Sequence, residues 1–240
     1  MKLLFLGASN TDCDHCFSKD NLGYGYVKMV HDLLLQKAIS PSSSKLSEFT
    51  TAKSSSFLLV NGGTDGFTFP RIFQKWDRTW RETAFDAVFV LGGINEVGAL
   101  MDSGMTQKAQ QELLQHSADT LTALLTGILC SECPRIFVLE PFLFDTPAYL
   151  KAWMEMLEKV REMIRKTVLS CGGNVLSESD TLSDICHLPA NRVFSLALQP
   201  LLDDAVRRHG ILSITKDGIH LAPEGHRIVA EMLTALISKF

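Results

Sequence analysis

The stretch Lys2-Leu3-Leu4-Phe5-Leu6-Gly7-Ala8-Ser9 decides the fold. A short apolar run that stops at a glycine and small residues reads as a buried strand ending in a tight turn. The same pattern returns along the chain: Phe57 to Val60 runs into Asn61-Gly62-Gly63, Asp86 to Leu91 into Gly92-Gly93, and Arg135 to Leu139 makes a fourth strand. Asn174 to Leu176 is a candidate fifth. Between these runs the spacing is helical. Val27, Val30, Leu33 and Leu34 follow Leu22-Gly23-Tyr24-Gly25-Tyr26 at helical intervals. Further helices are predicted over Phe69 to Thr83, Thr106 to Leu129, Pro147 to Ser170, Leu198 to His209 and Pro223 to Ser238. Pro70 stands near the start of its helix, where a missing N–H costs nothing. Strands alternating with helices predict a parallel sheet covered on both faces. The expected architecture is therefore α/β: a three-layer α/β/α sandwich of about five strands, doubly wound and flavodoxin-like. No boundary or internal repeat interrupts the alternation, so residues 1–240 read as one domain. The Ser-rich stretch 40 to 56 reads as a mobile loop that precedes a strand.

Composition narrows the function classes. Of 240 residues, 46% are hydrophobic and 21% charged, an ordinary globular balance with length enough for a sizeable core. A net charge of -4 and a pI near 6.0 argue against a dedicated nucleic-acid binder, which carries a basic field. No apolar run approaches the roughly 18–20 residues that span a bilayer, so membrane insertion is not expected. The apolar run before Gly7 is shorter than the roughly 7–15 residues of a secretory signal core. The expected location is cytoplasmic, with Cys13, Cys16, Cys130, Cys133, Cys171 and Cys186 as reduced thiols. Cys13-x-x-Cys16 follows the first strand and Cys130-x-x-Cys133 precedes the fourth, which sets the pairs at opposite sheet edges. A shared zinc ion is not expected, nor any other metal or cofactor.

Doubly wound sheets bind ligands outside the carboxyl ends of their strands. The loops leaving strands one to three carry Gly7-Ala8-Ser9-Asn10-Thr11-Asp12, Asn61-Gly62-Gly63-Thr64-Asp65-Gly66-Phe67-Thr68 and Gly92-Gly93-Ile94-Asn95-Glu96. All three emerge on that edge. The Ser-rich loop 40 to 56 lies at the other. A fourth element, Asp217-Gly218-Ile219-His220, precedes the last helix. Asp and His three residues apart on a loop can pair, with the carboxylate on Nδ1 and Nε2 left as a base. A serine hydroxyl is a poor nucleophile without such a base.

These four segments, in this order, resemble the SGNH-hydrolase (GDSL esterase/lipase) family. Gly7-Ala8-Ser9-x-Thr11 is similar to its Gly-Asp-Ser-x-Thr block, Asn61-x-Gly63-x-x-Gly66-x-Thr68 to its glycine block, and Gly93-Ile94-Asn95-Glu96 to Gly-x-Asn-Asp. Asp217-x-x-His220 matches its Asp-x-x-His block. The family's fold agrees with the sandwich predicted above. The resemblance implies Ser9 as nucleophile, His220 as general base and then acid, and Asp217 as the group that orients it. It implies an oxyanion hole made of the backbone N–H of Ser9, the backbone N–H of Gly66 and the side-chain amide of Asn95. It further implies ester hydrolysis through an acyl-enzyme, without a cofactor. Ala8 stands where the family has Asp, and Glu96 where it has a second Asp. Asp12 and Asp65 are the carboxylates able to take over from the first. Thr11 in place of a second glycine separates the turn from the Gly-x-Ser-x-Gly elbow of common α/β-hydrolases.

The expected substrate is a small soluble ester, first of all an acetyl ester of a carbohydrate. A lysophospholipase or thioesterase of the same mechanism is the alternative. A non-catalytic ligand-binding relative, suggested by Ala8, is the alternative from another class. The oligomeric state stays open. Other residues read as structural: His226 as packed locally or solvent-facing, His15 as a surface residue, and His31, His116, His187 and His209 as lacking partners. Phe142, Phe144, Tyr149 and Trp153 are expected to pack helix to sheet rather than to line a substrate pocket. Gly98 to Gly104 is a candidate flexible wall beside Asn95.

Overall fold

The computed structural model describes residues 1–39, 57–101, 104–176 and 192–240. The Ser-rich stretch 40 to 56, Cys186, His187 and part of the Gly98 to Gly104 segment lie outside the described residues. Among the described residues six parallel strands form one sheet: β1 (Lys2–Gly7), β2 (Leu58–Gly63), β3 (Ala87–Leu91), β4 (Arg135–Glu140), β5 (Asn174–Leu176) and β6 (Arg192–Ala197), in the order β2-β1-β3-β4-β6-β5. The doubly wound sandwich is as expected, with six strands where about five were predicted: β6 enters between β4 and β5 and so departs from the flavodoxin order at that edge. A serine sits in the middle of Arg192-Val193-Phe194-Ser195-Leu196-Ala197, and the run passes into the next helix without a glycine, so it carries no turn signal. Ser195 is tolerated because its hydroxyl donates to Glu140 Oε1 at 2.7 Å. Arg165 in turn holds that buried carboxylate with Nε on Oε1 at 2.9 Å and Nη2 on Oε2 at 2.7 Å.

Period-two alternation sorts the strand residues into two cores. Leu3, Phe5, Phe89, Leu91, Phe137, Leu139 and Phe194 face one layer; Leu4, Leu6, Val88, Val90, Ile136, Val138 and Val193 face the other. Near the exit of β1, Ser9–Asp12 forms the one-turn helix α1. Helix α2 (Tyr26–Ile39) covers the first face. Helices α3 (Phe69–Thr79), α4 (Ile94–Leu100), α5 (Gln107–Cys130) and α6 (Met154–Ser170) cover the second. Gly98 to Leu100, read as a flexible wall, is thus the last turn of α4. Helix α7 (Gln199–His209), the short α8 (Ile211–Ile214) and α9 (Pro223–Ile237) complete the first face. The predicted helix from Pro147 divides: Ala148–Trp153 is a 3-10 segment that leads into α6.

Four phenylalanines in register cross the first face. Phe5 stacks on Phe89 at 4.8 Å, Phe89 on Phe137 at 5.2 Å and Phe137 on Phe194 at 5.2 Å. Phe240 closes on Phe137 at 5.7 Å. Offset stacking of this kind adds to the burial of the rings and penalises any slip of one strand against the next. Phe137 touches three of these rings, so Phe137→Ala should cost about 3–5 kcal/mol in urea denaturation. A loss below about 1 kcal/mol would mean that the ladder does not hold these strands.

Candidate active site

The site begins with a turn that only small residues permit. A Cβ on Gly7 would meet Thr11 Oγ1 at 2.3 Å and Leu91 O at 2.6 Å; one on Gly63 would meet Asp12 N at 2.3 Å. With both absent, α1 lies directly on the ends of β1 and β2. Its carbonyl of Ala8 accepts from Thr11 N at 3.0 Å and Asp12 N at 2.8 Å. Buried Asn61 serves its other end, donating from Nδ2 to Thr11 O at 2.7 Å and Leu22 O at 2.8 Å, while Oδ1 accepts from Gly63 N at 2.9 Å. Thr11 Oγ1 and Tyr26 OH share a buried hydrogen bond of 2.9 Å.

Ser9, Asp217 and His220 line one cleft of about 270 Å³, together with Asp12, Cys13, Asp14, Asp65, Lys216 and His226. His220 Nδ1 lies 2.7 Å from Asp217 Oδ2, and both side chains stand partly in solvent. Asp217 Oδ1 also accepts from the backbone N–H of Ile219 at 2.9 Å and of His220 at 2.8 Å. Burial alone would raise the Asp217 carboxyl; the hydrogen bonds from the His220 backbone, the His220 ring and Ile219 outweigh it and hold the group below its ordinary range. The loop itself is a small closed structure. His220 O accepts from Lys216 N at 2.9 Å and Thr215 Oγ1 at 2.9 Å, and Thr215 pairs with Leu221. Gly218 has φ +90°, and a Cβ there would meet Thr146 O at 2.3 Å, so this position admits only glycine.

Gly66 and Asn95 lie beside the cleft rather than in its lining. Gly66 adopts φ +71° in the loop after β2. Asn95 Nδ2 donates to Phe67 O at 2.9 Å, which fastens α4 to that loop, and its second amide hydrogen has no acceptor among the described residues. Glu96 fastens the same loop from below, with Oε1 accepting from Phe69 N at 2.5 Å. Among the described residues, the backbone N–H groups of Ser9 and Gly66 have no hydrogen-bond acceptor.

A second cavity adjoins Ser9. It measures about 10 Å³ and is lined by Ala8, Ser9, Asn10, Leu91, Gly92, Ile94, Pro141 and Phe142. Phe142 therefore lines a pocket as well as packing in the core with Phe144, whereas Tyr149 is exposed and meets Trp153 edge-on at 6.4 Å.

Several known folds match this one. An acetylxylan esterase, Axe2 from Geobacillus stearothermophilus, in an Asp-to-Ala catalytic mutant, superposes with TM-score 0.69 at 20% identity, over 99% of this chain and 93% of that one. A Ser-to-Ala catalytic mutant of the same esterase also matches. LAE5, an α/β hydrolase from the metagenome of Lake Arreo, Spain, gives 0.71 at 18% identity, over 100% and 96%. A GDSL-like lipase from Parabacteroides merdae gives 0.73 at 19% identity, over 100% and 96%. The chain shares their fold. No protein-family model matches it, and no curated protein matches its sequence.

Some parts of the site carry no sequence signal. His226 is buried in α9, with Nδ1 accepting from Tyr26 N at 3.3 Å and Nε2 at 3.6 Å from Cys13 Sγ. Of the two expectations for it, local packing holds and solvent exposure does not. His15, read as a surface residue, is partly buried and pairs through Nδ1 with Asp12 Oδ1 at 2.6 Å. His31 and His209, read as lacking partners, approach Asp32 at 3.2 Å and Glu224 at 3.7 Å. Asn10 carries no sequence signal either, yet its side chain ties α1 to the His220 loop.

Glu96 is fully buried, and burial pushes its carboxyl up from 4.5 to about 7 against the pull of the Phe69, Glu96 and Gly93 N–H groups. Between those two values the folded chain binds the proton that the unfolded chain has lost, so stability falls as pH rises through that window. The penalty above it is on the order of 3 kcal/mol. Glu96→Gln mimics the protonated acid. Thermal unfolding should show the variant more stable than the parent at pH 8, with the gap closing by pH 4.5; a gap independent of pH would refute a buried carboxyl that resists ionisation.

Proposed function

We propose that the chain is a serine esterase that works through a covalent acyl-enzyme. The observation that carries this reading is the meeting of Ser9 and the Asp217–His220 pair in one cleft at the carboxyl edge of the sheet. Ser9 Oγ attacks the ester carbonyl carbon and its proton passes to His220 Nε2. Asp217, hydrogen-bonded at Nδ1, fixes the tautomer that leaves Nε2 available and stabilises the imidazolium. Negative charge gathers on the carbonyl oxygen. The N–H groups of Ser9 and Gly66 and the second amide hydrogen of Asn95 are its donors. The tetrahedral species collapses and expels the alcohol, which takes the proton back from His220. Water, deprotonated by the same histidine, then releases the acid from Ser9. Axe2 supports these roles, since its catalytic mutants replace a serine and an aspartate.

The acyl group is acetyl. The cavity beside Ser9 is small and apolar, which suits a methyl group. The alcohol is a carbohydrate: the adjoining cleft is wide and polar, with Asp12, Asp14, Asp65 and Lys216 to meet hydroxyl groups. The acetylxylan esterases among the structural neighbours favour the same substrate class. Its partner is thus a small-molecule ester, handled by the single domain 1–240. No described helix is long and apolar enough to cross a membrane. The thiols Cys13, Cys16, Cys130, Cys133 and Cys171 are free, which suits the reducing cytoplasm.

Ser9→Ala should abolish both fluorophosphonate labelling and p-nitrophenyl acetate turnover. A parent protein that does not label would instead favour the non-catalytic relative. Asn95→Ala should lower kcat by roughly 10²–10³, and an unchanged kcat would make Asn95 merely a loop fastener. Across p-nitrophenyl acetate, butyrate and octanoate, kcat/KM should fall steeply after acetate; a maximum at octanoate would replace the acetyl esterase by the lysophospholipase or thioesterase reading.

A further inference from the structure

His220 sits on an exposed loop, and Ser9 on a different element more than two hundred positions earlier in the chain. Catalysis needs the two held at a fixed separation. The tie between them is the side chain of Asn10, the residue next to Ser9 on α1. Its Oδ1 accepts from Leu221 N at 2.9 Å, and its Nδ2 donates to Ile219 O at 3.0 Å. Those two backbone groups flank His220 on either side. In a parallel ladder, one residue bonds the carbonyl before its partner and the N–H after it. The Asn10 amide reproduces that pattern with His220 as the partner, so a side chain stands in for a neighbouring strand. Only a primary amide offers an acceptor and a donor side by side on one short stem. Asn10 is buried, so water competes poorly for either bond. The loop's other anchors hold it together or tie it elsewhere. Thr215 Oγ1 and Lys216 N close it on His220 O, and Phe144 N reaches Gly218 O at 2.9 Å.

We infer that Asn10 is a positioning residue, whose amide sets the distance and angle between the His220 imidazole and the Ser9 hydroxyl. The inference rests on the esterase reading above and adds to it the part that joins nucleophile to base. Near-attack geometry is demanding, and a misplacement of about 1 Å can cost about 10²-fold in rate.

Two substitutions separate the amide's chemistry from its bulk. Asn10→Ala removes both bonds. Asn10→Asp, nearly isosteric, keeps the acceptor for Leu221 N but at neutral pH sets a carboxylate oxygen against Ile219 O. Once protonated, the Asp can donate again as the amide does. Both variants should lose about 10²-fold in kcat for p-nitrophenyl acetate with KM within threefold of the parent. Hydrogen exchange at Leu221 N–H should quicken in Asn10→Ala. The deficit of Asn10→Asp relative to the parent should shrink as pH falls toward about 4, the range in which a carboxyl protonates. A residue that only fills space would give neither the pH-dependent rescue nor the selective loss in kcat. Should Asn10→Ala fail to fold, Asn10→Asp carries the test alone. A parent that labels with fluorophosphonate while the folded variants turn over within threefold of it overturns the role of Asn10 and leaves the esterase standing. A parent that does not label overturns the esterase reading and this role with it, whatever Leu221 exchange shows about the two hydrogen bonds.

Discussion

Gly7 is paired with Gly63 on one side and with Leu91 on the other, and this register governs the rest of the molecule. Three parallel strands end level, so three loops begin at the same height on one edge. The strand order reverses at β1, with β2 on one flank and β3 on the other, which opens a crevice between the loops leaving β1 and β3. The small cavity beside Ser9 lies there, walled by Ala8, Leu91, Gly92 and Ile94. Slipping β1 by one residue would exchange its two faces. It would also carry α1, Ser9 and Asn10 away from the loop after β3. The stacked phenylalanines, two residues inside the strand ends, guard against that slip from within the core.

Two imidazoles share the cleft, and their surroundings assign them different fates. His220 stands partly in solvent with a carboxylate on Nδ1. His226 is buried against Tyr26 and Cys13. Burial, together with Lys216 and His220, pushes it down to about 4. Its neighbour Cys13 is pushed up to about 11, again mainly by burial. A thiolate–imidazolium pair needs the reverse, a thiol that ionises more readily than the imidazolium. At neutral pH both groups are therefore uncharged, and Cys13 packs as a small apolar residue against Gly25. Of the two histidines the sequence carries within seven residues, His220 is thus the one whose ring meets a carboxylate at the cleft, and His226 the one packed against Tyr26 and Cys13.

What could be read from sequence were the features that repeat or that punctuate. Short apolar runs ending in glycine mark β1 to β3, a fourth apolar run marks β4, and the alternation with helices puts the three glycine loops on one edge. Asp217 and His220 were legible because spacing on a turn brings the two together. What escaped were contacts between residues distant in the chain. β6 has no turn residue before α7, and its central Ser195 is made acceptable by Glu140, which lies fifty-five positions away. The pairing of Asn10 with both neighbours of His220 spans about the whole chain, and no periodicity marks a buried amide. His15 looked like a surface residue because its partner, Asp12, is itself placed by the fold.

Ala8 shows how the turn at Ser9 is fastened without a carboxylate at position 8. The Ala8 side chain is buried in a cavity lining that otherwise consists of Leu91, Ile94, Pro141, Phe142, Gly92, Ser9 and Asn10. That lining holds no cation, so a charge at position 8 would carry the cost of a buried, unpaired ion. The fastening is done from the far end of α1. Asp12 accepts from Asp65 N through Oδ2 at 2.9 Å and pairs with His15 through Oδ1, while Asn61 takes up the carbonyl of Thr11. Asp65 immediately precedes Gly66, so one carboxylate joins the turn at Ser9 to the loop after β2. With alanine at position 8 and the carboxylate four residues along, the wall beside Ser9 stays small and apolar while the turn keeps its hydrogen bonds.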